Sequence, residues 1–400
     1  MYSLYLHIPF CSHRCAYCDF NTYAGKGRLI PDYVEALCGE ICVVAASAPG
    51  RLVVHTVFFG GGTPSMLTTT QLESILTAIR GCFSLAPGAE ISLEANPGTC
   101  SLAYLRELRS LGFNRLSLGA QSAHPDELRQ LERIHDYFDV LEAVTWARRA
   151  GFDNLNLDLI YGLPEQSLAR WQSTLKLALE LHPEHLSLYA LAIEPGTPFG
   201  RWAARGLLPI PDPDLAAEMY EWAMDFLAAS GYEHYEISNW AKPDHQCRHN
   251  LQYWRNQPYL GFGAGAHGYA NGLRVANALR VKTYIERCAH HSSSISFPLS
   301  PATVNHTPVT PRDEMQETMI TGLRLTKEGI SAAGFQARFG VSLQETFGRE
   351  IDNLVGLGLL EWVDSQTSDV YKTSEVSDNL LRLTRRGRLL GNQVFMCFVE

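Results

Sequence analysis

Short runs of leucine, β-branched and aromatic residues alternate with segments of helical periodicity over the first 195 residues of the chain. Strands that alternate with helices form parallel sheets with right-handed crossovers. A closed eight-stranded barrel would need two more strand–helix units, which the pattern does not contain. The sequence therefore predicts an α/β fold, a partial (open) βα barrel of about six parallel strands. The strand candidates are Leu4–Ile8, Val53–Phe59, Ile91–Ala95, Arg115–Gly119, Asn154–Ile160 and His185–Leu191.

The rest of the chain has a different pattern. Residues rich in aromatics, His and Gly, without clear periodicity, are followed by a stretch rich in Ser, Pro and Thr. Helical patterns and a hairpin around Leu360–Leu383 then predict a small C-terminal winged-helix-like α+β domain. We expect four segments: the barrel (1–230), an extension of it (231–291), a linker (292–312) and the C-terminal domain (313–400).

Charge and hydropathy exclude several classes of function. The net charge of −9 argues against a nucleic-acid partner, because a nucleic-acid surface needs clustered Lys and Arg. No run of 18 apolar residues occurs, and the start MYSLYLHIPF lacks the charged region and cleavage site of a signal peptide. The sequence therefore predicts a cytoplasmic globular protein, with a homodimer left open.

Three of the ten cysteines, Cys11, Cys15 and Cys18, follow the first predicted strand as C-x3-C-x2-C. Thiolates are soft ligands that suit iron or zinc. Structural zinc sites use four closed ligands, and the nearby His13 does not build a second pair. Three thiolates on a four-iron cluster leave one iron open to a ligand. The spacing favours an iron–sulfur cluster, with a three-ligand zinc site and three incidental core cysteines as alternatives.

Polar residues or glycines stand at the end of every predicted strand. Because ligands of α/β barrels bind at the C-terminal ends of the strands, we expect these residues to line one pocket. Each has an ordinary alternative: a glycine triplet also makes tight turns, and an acidic residue also caps a helix. After the cysteine loop, the strand-end residues are Gly60–Pro64, Glu94, Asn96, Gln121, Asp158, Ala192 and Glu194.

The C-x3-C-x2-C spacing, with an aromatic residue before its last cysteine, resembles the signature of radical S-adenosylmethionine (SAM) proteins. The resemblance implies a [4Fe-4S] cluster whose open iron binds the methionine part of SAM. It also implies that Tyr17 covers the cluster, that Tyr5 lies beneath the cofactor and that Asp158 binds the ribose hydroxyls. The implied SAM contacts are Gly61, Gly62, Thr63, Glu94, Gln121, Arg133, Asp158 and Ala192.

Arg133 and the glycine-rich segment that contains His267 need a separate interpretation. The guanidinium of Arg133 suits the carboxylate of SAM because its planar fork pairs two oxygens. Without the resemblance, Arg133 could equally be a surface helix residue that pairs with Glu132 or Asp136. The glycine-rich segment Gly261–Gly268 is interpreted as a loop close to the adenine, with His267 as a further candidate contact.

The segments YLHIPFC, FFGGGTPS and DLIYGLPEQS resemble the oxygen-independent coproporphyrinogen III oxidase-like family. That enzyme has a cysteine two residues after the third cluster cysteine, where this chain has Phe20. It also has a long N-terminal extension, whereas the first strand here begins almost at Met1. HemW-type heme chaperones, a branch of the family, share both departures. The resemblance thus implies a heme chaperone, with coproporphyrinogen III dehydrogenase or another tetrapyrrole-modifying enzyme as the alternative.

The segment Cys247–Trp254, CRHNLQYW, matches the HNxxYW motif of those chaperones. His249 offers an imidazole to heme iron, and Tyr253 and Trp254 offer flat faces to a porphyrin. The alternative is a hydrogen-bonded core histidine beside packed aromatics, with Cys247 as a rival axial ligand. The implied partners are heme and an apo-hemoprotein acceptor, which is membrane-associated in one version of this hypothesis.

Overall fold

The computed structural model describes residues 1–290, 295–364 and 379–399. These residues form two compact units, each built from two stretches of chain. Unit one comprises Met1–Ala223 and Pro258–Pro308, and unit two comprises Met224–Gln257 and Val309–Glu400. The HNxxYW segment, which we expected in an extension of the barrel, therefore lies in unit two.

The strands and α-helices alternate through most of unit one. In chain order, the described strands are β1 (Tyr2–Ile8), β2 (Phe10–Cys11), β3 (Tyr23–Ala24), β4 (Val53–Gly61), β5 (Ser84–Ala95), β6 (Arg115–Gln121), β7 (Leu155–Tyr161), β8 (His185–Ala190), β9 (Glu233–Glu236), β10 (Asn239–Ala241), β11 (Tyr259–Phe262), β12 (His267–Ala270), β13 (Leu273–Asn277), β14 (Thr303–Pro308), β15 (Ile330–Ser331), β16 (Leu360–Asp364) and β17 (Asn379–Leu383). The described α-helices are α1 (Ile30–Ser47), α2 (Thr69–Cys82), α3 (Leu102–Leu111), α4 (Pro125–Gln130), α5 (Tyr137–Arg149), α6 (Leu168–Glu180), α7 (Pro198–Ala204), α8 (Pro213–Ala229), α9 (Arg248–Trp254), α10 (Val281–Ala289), α11 (Pro311–Gly322), α12 (Ala332–Phe339), α13 (Leu343–Gly356), α14 (Arg385–Leu389) and α15 (Gly391–Met396).

All six predicted strands are present, as β1, β4, β5, β6, β7 and β8, and each pairs in parallel with the next. A further parallel strand, β11, pairs with the other side of β1, and β12, β13 and β14 continue the sheet in antiparallel pairs. The prediction of about six strands is therefore too low. The strand β11 escapes notice because a run of only four residues carries a weak local signal. The strand order from β14 to β8 does not return to its start, so the sheet is open, as predicted.

The expectation of a linker at residues 292–312 is wrong for Thr303–Pro308, which form β14 and pair with β13. A strand rich in Thr and Pro is compatible with an outer position, because proline donates no ladder hydrogen bond. Pro308 is the last residue of the strand, opposite Leu273. Residues 291–294, which include the start of the predicted linker, lie outside the described residues.

The helices of unit one begin where the sequence supplies capping side chains. Thr68 and Gln71 form a reciprocal capping box at α2, and Ser101 and Ser167 cap α3 and α6. The apolar face of α3 is buried, whereas the strands of the sheet, such as β6, are buried along both faces. That pattern is typical of a parallel sheet whose two faces are both covered.

Unit two contains the predicted C-terminal α+β domain. Its helices α11, α12 and α13 accompany a three-stranded antiparallel sheet in the order β15–β17–β16. The strands β16 and β17 confirm the expected hairpin pairing, while residues 365–378 between them lie outside the described residues. The core of this domain includes Phe335, Phe347 and Ile351. The antiparallel pair β9–β10 and helix α9 also belong to unit two.

Gly263 lies where the loop after β11 meets β1 and α1. Its φ is 102°, and an added Cβ would lie 2.5 Å from both the backbone oxygen of His7 and the hydroxyl of Tyr33. Its amide donates to Glu40 Oε2 at 2.8 Å, and the Tyr33 hydroxyl donates to the His7 oxygen at 2.6 Å. Only glycine combines this backbone conformation with so close an approach.

We predict that Gly263→Ala destabilises the chain by on the order of 2–4 kcal/mol, because it adds left-handed strain to a steric overlap. Gly39→Ala is the matched control: Gly39 lies inside α1 with nothing within 4 Å of an added Cβ. That substitution should stabilise the chain by about 0.5–1 kcal/mol. Urea unfolding followed by circular dichroism measures both changes, and equal shifts in the two variants would contradict this account.

Candidate functional site

A cavity of about 430 Å³ lies in unit one at the C-terminal ends of the parallel strands. Polar residues were predicted from the sequence at this edge of the sheet. The cavity wall contains most of the predicted site residues: Cys11, Cys15, Tyr17, Cys18, Gly61, Gly62, Thr63, Glu94, Asn96, Gln121, Arg133, Asp158, Ala192 and Glu194. The strands thus bring together side chains that are separated by up to about 180 residues in sequence.

Five predicted site residues lie elsewhere: Tyr5 and His267 of unit one, and the three residues of the HNxxYW motif. Tyr5 lies behind the wall, with its hydroxyl 2.9 Å from His7 Nδ1 and its ring stacked on Phe58. His267 begins β12 on an exposed surface and does not line the cavity. His249 belongs to unit two and is described by itself below.

Each cysteine of the loop has a polar neighbour. The Thr63 hydroxyl donates to Cys11 Sγ at 3.6 Å, and Cys18 Sγ is 3.9 Å from the Thr22 hydroxyl. Arg133 Nη1 donates to Cys15 Sγ at 3.5 Å. Burial raises the pKa of the Cys11 and Cys18 thiols. A positively charged ligand group would reverse that effect by stabilising the thiolates.

Among the residues that the structure describes, no three His, Cys, Asp or Glu side chains are placed to hold a single metal ion. A mononuclear zinc site requires its sulfur ligands about 2.3 Å from one common centre. A polynuclear cluster instead binds each thiolate at a different iron. The cluster stays a prediction from the motif, with the three-ligand zinc site as its alternative.

The cysteine loop is anchored by Asn21. The Asn21 side-chain amide donates to the carbonyl oxygens of Ala264 and Leu279 at 2.9 and 3.0 Å. The Asn21 carbonyl accepts a hydrogen bond from His7 Nε2 at 2.9 Å. Gly265 leaves the space that Asn21 occupies, since a Cβ there would overlap its side-chain amide. The glycine-rich segment therefore supports the cysteine loop, and the adenine contact that we assigned to it stays a prediction.

Glu94 lies between the glycine turn and the floor of the cavity. Its Oε2 accepts a hydrogen bond from the Gly61 amide at 3.0 Å. Desolvation and the nearby negative charge of Asp158 raise the pKa of Glu94 to about 7. A second carboxylate so close makes this part of the wall suited to a cationic or hydrogen-donating ligand.

Asp158 is held by a polar network across β6, β7 and β8. The Ser117 hydroxyl donates to Asp158 Oδ2 at 2.9 Å, and the Asn156 amide donates to Asp158 Oδ1 at 2.8 Å. Asn156 Oδ1 is in turn 2.6 Å from His185 Nδ1 and accepts from the Ser187 hydroxyl at 3.2 Å. The network fixes the carboxylate before any ligand arrives, and it leaves the remaining lone pairs available on the cavity side.

Arg133 faces the cavity. Its Nη2 donates to the Gly119 carbonyl oxygen at 2.8 Å, which excludes the alternative of a surface helix residue paired with Glu132 or Asp136. Gln121, also in the wall, has a positive φ of 65° at a register shift in β6. Non-glycine residues in that conformation cluster at functional sites.

Two polar atoms of the wall have no hydrogen-bond partner among the described residues. They are Arg133 Nε, a donor, and Asn96 Oδ1, an acceptor, and both are buried. An unpaired buried polar atom costs about 1–3 kcal/mol, so such atoms mark places where a ligand or water completes the bonding. Arg133 thus retains one donor although its Nη groups are engaged.

The HNxxYW residues form one face of α9 in unit two. His249 is 1% exposed, and its Nε2 is 2.8 Å from the Tyr253 hydroxyl. The ring of Trp254 is covered by the guanidinium of Arg324 at 4.4 Å. Cys247, the rival ligand, is also fully buried. This is the arrangement of a hydrogen-bonded core histidine, so heme ligation by His249 stays a prediction, and ligation through Nε2 requires the Tyr253 bond to break.

Several wall and support residues were not predicted. Ser117 sits in an alternating polar–apolar run, RLSLGAQ, which signals a second polar position on β6. Tyr189 and Ile134 are exposed at the cavity and had no sequence signal. No sequence signal indicated the role of Asn21 either, because the residues that its side chain contacts lie more than 240 positions away.

Comparisons with known proteins place this fold and site in a class. A sequence model described as the radical SAM superfamily matches residues 5–178, and one described as the HemN C-terminal domain matches residues 309–365. The solved structure of the coproporphyrinogen III oxidase HemN from Escherichia coli, described as a radical SAM enzyme, is similar over 99% of this chain and 89% of its own. Its TM-score is 0.81 and its sequence identity is 27%. The fold and the cysteine-lined cavity are those of a radical SAM protein.

Relatives identify the branch. The heme chaperone HemW of Bacillus subtilis (strain 168) is 39% identical over 402 residues, covering 100% of this chain and 99% of the relative. HemW of Lactococcus lactis (strain IL1403) is 36% identical over 99% of this chain and 97% of its own length. HemW of Escherichia coli (strain K12) is 44% identical over 66% of this chain and 69% of its own. The chain belongs to the HemW heme chaperone family.

We predict a pH dependence of stability from Glu94. Because folding raises its pKa, the stability contribution of Glu94 is complete below about pH 4.5 and is lost as the pH rises through about 7. Stability of the cluster-free chain should therefore fall between pH 5 and 8 relative to Glu94→Gln, by roughly 3 kcal/mol at most.

Urea unfolding of both proteins at each pH measures this difference. Glu73→Gln, a change at an exposed position of α2, serves as the control and should follow the unsubstituted chain. Parallel pH profiles for Glu94→Gln and the unsubstituted chain would show that Glu94 titrates normally.

Proposed function

We propose that this chain is a cytoplasmic heme chaperone that holds a [4Fe-4S] cluster, binds SAM beside it, and receives heme for delivery to an acceptor protein. The observation that carries the proposal is the cavity, where three thiols face the same space as the Glu94 and Asp158 carboxylates and two unpartnered polar atoms. The names of the relatives, heme chaperone HemW, supply the heme part. Ten free cysteines suit a reducing compartment.

The donor set fits the cluster. Cys11, Cys15 and Cys18 provide three thiols on one loop, and Arg133 and Thr63 donate toward two of their sulfurs. Such donors stabilise thiolates bound to iron and tune the cluster. When bound, the cluster supplies one iron with an open coordination position. Asn21 holds the loop that presents it, through Ala264 and Leu279 on the opposite side.

The wall also fits SAM. An ammonium group and ribose hydroxyls are donors, and they meet acceptors in Glu94, Asp158 and the unpartnered Asn96 Oδ1. The carboxylate of SAM meets the unpartnered Arg133 Nε. Gly61 and Gly62 line the cavity at the end of β4, and their missing Cβ atoms make room for the His7 ring and the Phe10 backbone. The ammonium, carboxylate and ribose groups of the ligand thus each have a complementary group in the wall.

The heme part rests on the HNxxYW residues of unit two, where His249, Tyr253 and Trp254 supply an imidazole and two rings. In unit one, Phe20 and Ile134 are 64% and 57% exposed at the cavity and form a separate apolar surface. A porphyrin is a flat apolar ligand that such surfaces accommodate. We propose His249 as the axial ligand.

Phe20 also bears on the alternative, an oxidase of coproporphyrinogen III. The position two residues after the third cluster cysteine carries phenylalanine here, and its side chain points into the space beside the cavity. An apolar ring cannot replace a thiol in proton or electron transfer. We therefore infer that this chain binds a tetrapyrrole without oxidising it.

Titration of hemin into the reconstituted chain, followed by absorbance, tests this proposal. We predict that His249→Ala shifts the Soret band and weakens hemin binding at least tenfold, because a coordinate bond is lost. Tyr253→Phe keeps the ring and should matter less. His306→Ala, a change at an exposed histidine of β14, is the control and should leave binding unaltered.

An anaerobic assay with SAM, reductant and coproporphyrinogen III completes the experiment. The proposal expects hemin binding and no protoporphyrinogen. Formation of protoporphyrinogen at catalytic rates would overturn the chaperone function. An unaltered spectrum and affinity in His249→Ala would remove His249 from the heme site and make Cys247 or His267 the next residue to substitute.

A further inference from the structure

Cys42 and Cys82 form a close thiol pair on the helical side of unit one, away from the cavity. Their sulfur atoms are 3.1 Å apart, with the Cys82 thiol donating to Cys42 Sγ. Cys42 lies in the second half of α1 and is exposed, while Cys82 is the last residue of α2. Neither residue takes part in the site described above.

The geometry suits covalent pairing. A disulfide bond is about 2.05 Å long, so the two sulfurs need to approach by roughly 1 Å, which small side-chain rotations allow. The residues are 40 positions apart, so the bond would join the two helices and close a long loop. Both cysteines lie in helices, so the backbone on each side of the pair is held in place.

The two thiols differ in access and in acidity. Cys42 is open to reagents in solution. Burial and the hydrogen bond to Cys42 raise the pKa of Cys82 to about 12, so Cys82 keeps its proton until Cys42 has reacted. The guanidinium of Arg51, which donates to the Phe83 carbonyl oxygen at 3.0 Å, then favours the Cys82 thiolate. Attack thus begins at Cys42 and is completed by Cys82.

We propose that Cys42 and Cys82 are a reversible redox site that forms an intrachain disulfide by exchange with a low-molecular-weight disulfide such as oxidised glutathione. The Cys42 thiolate attacks one sulfur of the oxidant and expels the other half as a thiolate. The Cys82 thiolate then attacks the Cys42 sulfur and expels the second half. The chain loses two protons and two electrons, and the oxidant gains both as two thiols.

The disulfide would act on a helix that supports the cysteine loop. The same α1 carries Glu40, which accepts from the Gly263 amide at 2.8 Å and from the Tyr284 hydroxyl at 2.6 Å. The segment that contains Gly263 holds Asn21 through the Ala264 carbonyl oxygen. Oxidation therefore restrains the helix on which this chain of contacts depends. Cytosolic disulfides of this kind are transient and serve redox sensing.

The test uses the full-length, cluster-loaded chain, equilibrated anaerobically over a series of reduced-to-oxidised glutathione ratios, alkylated and digested with trypsin. Cys42 lies in the peptide from Leu29 to Arg51, and Cys82 lies in the peptide from Gly81 to Arg106. We expect these two peptides to appear linked, lighter by two hydrogen atoms than their sum, and to separate on reduction.

Substitutions assign the linked pair, because each peptide holds a second cysteine, Cys38 or Cys100. The linked product should vanish in Cys42→Ser and Cys82→Ser and persist in Cys38→Ser and Cys100→Ser. In the unsubstituted chain, the proposal is overturned if no linked peptide forms at any glutathione ratio while Cys42 is still alkylated. Glutathione retained on Cys42, or a link that survives Cys42→Ser, would also overturn it.

Discussion

The parallel pairing of strands is the constraint on which the rest of the site depends. When β1, β4, β5, β6, β7 and β8 run in the same direction, every strand ends at one edge of the sheet. The cysteine loop, the glycine turn and the carboxylates each follow a different strand, and only this pairing brings them together. Most helices between the strands contribute no side chain to the cavity wall.

The positions of the site residues also depend on hydrogen bonds that no ligand supplies. Asn156 and Ser117 hold the Asp158 carboxylate, the Gly61 amide holds Glu94, and Asn21 holds the cysteine loop. The orientation of these groups is thus set before a ligand binds, which lowers the conformational entropy that is lost on binding. Only a few polar atoms, such as Arg133 Nε, are left for the ligand itself.

The sequence predicted the six barrel strands and about half of the residues of the cavity wall, because alternating hydrophobic patterns and strand-end residues are local signals. It did not predict β11 or β14, since a four-residue strand and a Thr- and Pro-containing strand carry weak local signals and depend on distant partners. The supporting role of Asn21 and the purpose of Gly263 escaped for the same reason. Both require knowing which backbone lies next to the residue in space.

The HNxxYW segment shows the limit of motif reasoning. The motif and the relatives agree on the family, yet His249 is buried and bonded to Tyr253, and Arg324 covers Trp254. A motif identifies residues that a family shares, but it does not state whether they bind ligand or hold the fold. Heme ligation at α9 therefore implies a rearrangement within that helix face.

The central claim is that the three thiols and the strand ends form one site for cluster and SAM. Calorimetric titration of SAM into the anaerobically reconstituted chain, with iron and sulfide assayed in parallel, tests it most directly. We predict that Cys15→Ala loses the cluster and weakens SAM binding at least tenfold, while Cys100→Ala, a buried cysteine outside the cavity, matches the unsubstituted chain. A Cys15→Ala chain with full iron content and unaltered SAM affinity would contradict the account.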